Sequence, residues 1–240
     1  MRSAGAPSGS DGLIPGFIRP DWPAPANVMA LVSTRQAGDA MRWLQGTEPM
    51  PAEAGLPAEP VWLKQVHGTD VIAAHEQHGR PEADAAWTDR PGQVCAILTA
   101  DCLPVLFCDQ QGRHVAASHA GWRGLVAGVL ERTVDAMACP SSELMAWLGP
   151  AIGPTAFEVG PEVRDAFLRR DPGCTAAFLP GNNDRWHADL YRLARRCLNG
   201  LGMRDVRGGG FCTFTDAERF FSYRRGDRDG RMATLIWLGR

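Results

Sequence analysis

His114-Val-Ala-Ala-Ser-His-Ala-Gly-Trp-Arg-Gly-Leu125 joins a short β-type run, a turn bracketed by glycines and the first residue of a helical repeat. His114 to Ser118 reads as a strand. From Leu125 onward, Leu125, Val129, Leu130, Val134 and Met137 share one helical face, and the helix stops before Pro140. A strand that feeds a helix makes the chain a mixed α and β protein.

The flanking sequence follows the same rule. Toward the N-terminus, β-type runs are expected at Val28 to Thr34, Val61 to Val66, Asp70 to Ala74, Cys95 to Ala100 and Val105 to Cys108, with a short helix at Asp39 to Leu44 and a Pro/Gly/Ala-rich loop from Pro49 to Pro60. Toward the C-terminus, a strand at Leu144 to Leu148 precedes two helices. One has Pro161 at its first position. The other is capped by Asp189 and buries Leu190, Leu193, Ala194, Cys197 and Leu198 on one face. Strands return at Val206 to Thr213, Arg219 to Tyr223 and Met232 to Leu238. No internal repeat is visible, and strands with interspersed helices indicate an α+β domain.

The chain has 240 residues, which one large domain accommodates, and its 45% apolar and 22% charged composition is that of an ordinary globular protein. A net charge of -2 offers no basic footprint for nucleic acid or an anionic membrane. No apolar run approaches the roughly 20 residues that cross a bilayer, and the first residues lack the apolar segment of a signal peptide, so a cytoplasmic protein is expected. Residues 1–13, rich in Gly, Ser, Ala and Pro, are expected to form a disordered tail ahead of a single domain spanning 14–240. Seven cysteines, odd in number and irregularly spaced, suit reduced thiols, most of them small core residues. Oligomeric state is not legible.

Two histidines and a cysteine fall where strands end. In Leu63-Lys-Gln-Val-His-Gly68, Gln65 and His67 share a face and Gly68 permits close approach; Gln65 is aimed to bind a base edge. Cys102 closes Ala96-Ile-Leu-Thr-Ala-Asp-Cys102, and its neighbour Asp101 is expected on the opposite face, orienting a ligand or Arg123 from behind. His119 ends its strand, and the turn after it is a candidate anion site with Arg123 as a planar donor; close helix packing is the alternative. His, Cys and His suit one zinc with a fourth position open. No local signature links the three, so the residues alone leave this idea beside that of ordinary hydrogen-bonded side chains, which is the assignment given to His75, His78, His114 and His187.

Five longer segments carry a resemblance. Lys64-Gln-Val-His-Gly68, Thr99-Ala-Asp-Cys-Leu-Pro-Val-Leu106, His119-Ala-Gly-Trp-Arg-Gly124, Gly149-Pro-Ala-Ile-Gly-Pro154 with Phe157-Glu-Val-Gly160, and Phe220-Phe-Ser-Tyr-Arg-Arg225 resemble the peptidoglycan editing factor family. This family is also called the multicopper polyphenol oxidase or laccase-domain family and, more recently, a purine nucleoside phosphorylase family. The resemblance runs in order from Pro15 to Leu238. It implies a four-layer α/β/β/α sandwich and one zinc held by His67, Cys102 and His119, with Cys102 and His119 at the catalytic centre.

The implied activity is cleavage of inosine, guanosine, adenosine and methylthioadenosine by phosphate, with deamination of adenosine. Arg35, Arg123, Arg224 and Arg225 then become candidates for holding phosphate or substrate. A four-copper laccase needs about ten histidines and this chain has six, which excludes it, although a single copper in a His/His/Cys site is not excluded. The editing name implies instead an amidase that removes misincorporated serine from a peptidoglycan precursor. A thiol hydrolase using Cys102 and His119 and a non-catalytic zinc-stabilised scaffold are the other readings.

The chain departs from the family pattern in two places. Gln36-Ala-Gly-Asp39 replaces the expected Gly-Gly-Val-Ser turn and leads into a shortened stretch, where a substrate-facing loop is expected to be missing. Asp229-Gly-Arg231 replaces the usual Thr-Gly-Arg.

Overall fold

The computed structural model describes residues 14–239, so the expected tail at 1–13 lies outside the described residues. The strands are β1 (Phe17–Ile18), β2 (Val28–Ser33), β3 (Val71–Ala73), β4 (Ala85–Thr88), β5 (Val94–Thr99), β6 (Leu103–Asp109), β7 (Val115–Ala120), β8 (Leu144–Leu148), β9 (Glu158–Val159), β10 (Phe178–Pro180), β11 (Trp186–Ala188), β12 (Asp205–Gly208) and β13 (Met232–Leu238). The α-helices are α1 (Ala40–Leu44), α2 (Trp122–Ala127), α3 (Val129–Ala136), α4 (Pro161–Arg170) and α5 (Leu190–Gly200).

Two sheets stack. A six-stranded mixed sheet runs β12-β8-β6-β7-β4-β3, and a four-stranded sheet, antiparallel throughout, runs β1-β2-β13-β5. Side-chain alternation decides the stacking. On β6, Leu103, Val105 and Phe107 face the helices, while Leu106 and Cys108 face the other sheet, where they meet Ile97 of β5 and Ile236 of β13. Both faces of β6 are covered, which is why it reads as a nearly continuous apolar run. The outer face of the smaller sheet, with Leu98, Leu235 and Trp237, packs under Phe17, Trp43 and Trp62. The layers are therefore helices α2–α5, six strands, four strands, and a thin cover of α1 with its flanking loop, an α+β domain of α/β/β/α order.

Helix ends follow local chemistry. Asp39 accepts the Met41 N–H at 2.9 Å and Asp189 the Arg192 N–H at 3.0 Å. The helix expected from Leu125 to Met137 is instead two, because Gly128, at φ 106°, closes α2 and opens α3.

Three expected strands change. Val61 to Val66 makes only single bridges at Val61 and Lys64. Val206 to Thr213 stops at Gly208, because Gly208, Gly209 and Gly210 all adopt positive φ. Arg219 to Tyr223 is a turn: the Asp216 carboxylate caps the Arg219 N–H at 3.2 Å and its carbonyl accepts the Phe220 N–H at 3.1 Å. Strand β4 and the small antiparallel sheet β10-β11-β9 were not expected, being too short to show a period. No helix of the described residues is long and apolar enough to cross a membrane.

Candidate metal centre and substrate pocket

His67, Cys102 and His119 converge, with their ligand atoms all within 4.8 Å of one another. The topology brings them together. Cys102 immediately precedes β6 and His119 is the penultimate residue of β7; β6 and β7 are antiparallel neighbours with Pro104 opposite His119. His67 arrives from the loop before β3, in the left-handed region at φ 60°.

Asp84, one residue before β4, holds that loop in place. Its carboxylate, fully buried, accepts the backbone N–H groups of Val66 at 3.2 Å, His67 at 2.9 Å and Gly68 at 2.6 Å, and lies 2.7 Å from His119 Nδ1. Three convergent donors compensate for an unfavourable φ that costs roughly 1–3 kcal/mol. Burial opposes the charge on Asp84, but the His119 hydrogen bond and these N–H groups outweigh it and hold the carboxyl below its ordinary range. Sequence reasoning missed Asp84. Its signal was a carboxylate embedded in the small apolar run Ala83-Asp-Ala-Ala86, where a buried charge demands partners.

The two imidazoles are pushed apart in basicity. Burial lowers proton affinity at His119, yet attraction to Cys102 and the Asp84 hydrogen bond prevail and raise it to about 9. His67 is shifted down, first by burial and then by neighbouring His119.

The donor set fits a borderline-soft cation. Asp84 occupies His119 Nδ1 and so fixes the ring with Nε2 toward the centre. Gly121 supplies a direct geometric test. Its backbone, φ -61° and ψ 157°, is open to any residue, but a Cβ there would lie 2.6 Å from His67 Nδ1 and 3.1 Å from Cys102 Sγ. The chain keeps this space clear of side chain. Gly124 has a packing reason, since a Cβ would meet the Gly68 carbonyl at 2.9 Å. The close-packing explanation of this turn therefore accounts for Gly124.

The cluster forms one wall of a cavity of about 660 Å3. Four arginines line it, Arg80, Arg123, Arg224 and Arg231, together with Trp122, Phe157 and Tyr223. Arg123 lies 4.6 Å over the Trp122 ring, and Arg224 lies 5.7 Å over Phe157 while donating to the Glu158 carbonyl. Arg80 escaped sequence reasoning because it sits in a loop far from the recognisable motifs; Arg231, in the Asp229-Gly-Arg231 departure from the family pattern, carried no site signal of its own. The segment expected to have lost a substrate-facing loop still contributes Met41 to the wall.

Several expected site residues do other work. Arg225 donates to the carbonyls of Thr213, Phe214 and Phe220 and pairs with Asp227 at 2.6 Å, so it clasps the C-terminal loop. Arg35 pairs with the same Asp227 at 2.8 Å and stacks 4.2 Å over Phe221. Neither lines the pocket. Gln65 lines it, but both ends of its amide are spent on Leu98, donating to the carbonyl and accepting the N–H, each at 2.8 Å. It extends β5 in the manner of a strand, which fixes the amide against the backbone and leaves one N–H of its NH2 for a ligand.

Asp101 departs from expectation too. Strand β5 ends at Thr99 and Asp101 sits at φ 89°, so alternation does not apply and both Asp101 and Cys102 face the cavity. Its carboxylate accepts from Thr213 Oγ1 at 2.6 Å and from the Arg224 N–H at 2.7 Å, positioning Arg224 rather than Arg123. The Gly149-Pro-Ala-Ile-Gly-Pro154 segment is anchored by Tyr191, whose hydroxyl accepts the Ala151 N–H at 2.9 Å and lies 3.2 Å from the Phe211 carbonyl.

Residues 34–239 match the family described as multi-copper polyphenol oxidoreductase laccase. The chain belongs to this laccase-like family. The chain is 50% identical to purine nucleoside phosphorylase PA4543 of Pseudomonas aeruginosa over 92% of this chain and 98% of that one, and 48% identical to purine nucleoside phosphorylase YfiH of Escherichia coli over the same shares. Among solved structures, protein NMB0706 of Neisseria meningitidis superposes with a TM-score of 0.83 at 43% identity, covering 94% of this chain and all of that one. YlmD from Geobacillus stearothermophilus gives 0.81 at 25% identity, covering 96% and 98%. Within this laccase-like family, the present member carries two of its six histidines at the centre.

Proposed function

We propose that this protein is a zinc-dependent purine nucleoside phosphorylase that converts inosine, guanosine, adenosine or methylthioadenosine and phosphate to free base and pentose 1-phosphate, with adenosine deamination at the same centre. The observation that carries this reading is the placement of the His67, Cys102 and His119 cluster in one wall of a cavity whose other walls are arginines and aromatic rings. The names of the relatives point the same way.

The residues divide the work by their chemistry. Arg80, Arg123, Arg224 and Arg231 supply the charge and directed donors that hold phosphate against the sugar. Trp122, Phe157 and Tyr223 offer stacking surfaces for a purine. Asp101 is the single carboxylate lining the cavity among the described residues, and both its oxygens are hydrogen-bonded. Stabilisation of the departing base therefore falls to the His67, Cys102 and His119 group. A zinc ion bound there supplies a Lewis acid able to polarise a substrate nitrogen or a water.

The activity belongs to residues 14–240 as one catalytic domain acting on small molecules in the cytoplasm. The test is incubation of zinc-loaded protein with inosine, with and without phosphate. Hypoxanthine and ribose 1-phosphate that depend on phosphate support the proposal, and no phosphate-dependent base release sinks it. Free serine released from the serine-bearing nucleotide-muramic acid precursor would establish the amidase instead.

A further inference from the structure

At the opposite end of the β6–β7 hairpin from the His67, Cys102 and His119 cluster lies a second group of ligand atoms. Asp109 ends β6, His114 precedes β7, and Cys139 follows α3; one atom from each lies within 4.8 Å of the other two. Strands rise about 3.3 Å per residue, so this group sits roughly 20 Å from the first along the same two strands.

We propose that Asp109, His114 and Cys139 form a second metal site, for one zinc-class cation, that staples the β6–β7 hairpin to the loop between α3 and β8. The separations suit it. Cys139 Sγ lies 3.3 Å from His114 Nδ1, which in turn lies 3.9 Å from Asp109 Oδ2; tetrahedral zinc with the usual bond lengths places such ligand pairs about 3.5 Å apart. Asp109 is fully buried and its other oxygen is fixed by the N–H groups of Arg113 at 2.6 Å and His114 at 2.8 Å, leaving Oδ2 on the ligand side. His114 and Cys139 are half-buried, so an ion reaches them from solvent, which also fills the fourth position.

One group competes. The Arg113 guanidinium donates to Asp109 Oδ2 at 3.2 Å from a side chain that is mostly exposed. A cation takes its place at that oxygen and the arginine swings into water. Removing Arg113 should therefore strengthen the site, whereas a purely structural Asp109–Arg113 pair would only be weakened.

The test counts cobalt(II) or zinc on the full chain after dialysis against a metal buffer. Wild type should hold two equivalents. Cys139→Ser and His114→Gln should each hold one, with unchanged nucleoside turnover and loss of the zinc-dependent rise in unfolding midpoint. Arg113→Ala should bind its second ion more tightly than wild type. In a Cys102→Ser background the cobalt-thiolate absorption band should persist, and it should vanish in Cys102→Ser/Cys139→Ser. If Cys102→Ser does not fold, the counts on the other variants still decide. A wild-type count, whether one or two, that Cys139→Ser and His114→Gln leave unchanged overturns the proposal.

Discussion

Asp84 Oδ1 lies 2.7 Å from His119 Nδ1, and the same carboxylate gathers the N–H groups of the loop that carries His67. One buried side chain thus sets the tautomer of one imidazole and the position of the other. Asp84→Asn keeps the size but replaces one acceptor oxygen with a donor. Zinc affinity should fall roughly 10–100-fold, measured by chelator competition, with a lowered unfolding midpoint because three backbone N–H groups then share fewer acceptor sites.

Gly121→Ala tests whether the centre needs open space. Since the backbone there accepts any residue, the fold should persist by circular dichroism. The new methyl intrudes on His67 Nδ1 and Cys102 Sγ, so metal content should fall below one equivalent at that site. Full metal loading of Gly121→Ala would show that the cluster is wider than described.

The arginines should separate into two kinds. Arg123→Ala removes charge from the cavity wall, and its KM for phosphate should rise about tenfold with little change in unfolding midpoint. Arg225→Ala strips donors from three carbonyls and from Asp227, so it should cost roughly 2 kcal/mol of stability, read from denaturant titration. A reversed pattern would misplace both residues.

Zinc affinity should depend on pH through His119. Held at about 9 by Cys102 and Asp84 against the opposing effect of burial, the ring carries a proton that the metal must displace. Affinity should therefore rise with pH up to about 9, about tenfold per unit for each proton released. In the chelated protein the sign reverses. The raised His119 stabilises the fold fully below its ordinary value of 6.5, and that contribution is lost as pH climbs through about 9. The lowered Asp84 contributes above its ordinary 3.8 and loses its contribution as pH falls below that range. Unfolding midpoints measured across pH with chelator present check both arms.

Much of this was local and therefore legible. Helix starts at Asp39, Pro161 and Asp189 were readable because a cap acts within three residues. Strands β2, β5, β8 and β13 were readable because burial leaves a run of apolar side chains. His67, Cys102 and His119 could be picked out individually, each beside a glycine, a proline or a strand end. Their convergence was not legible, because it depends on the pairing of β6 with β7 and on the loop that Asp84 pins.

By itself the sequence determined a mixed α and β domain, its main helices and its family, since those rest on periodicity, caps and long motifs. Only the tertiary structure sorted residues of the same type into different work. Arg123 and Arg224 line the cavity while Arg35 and Arg225 clasp a loop, and Gln65 completes a strand edge. Side-chain chemistry limits what a residue can bind, but long-range partners decide which of its donors and acceptors remain free, and such a partner lies 192 positions away in the case of Arg35 and Asp227.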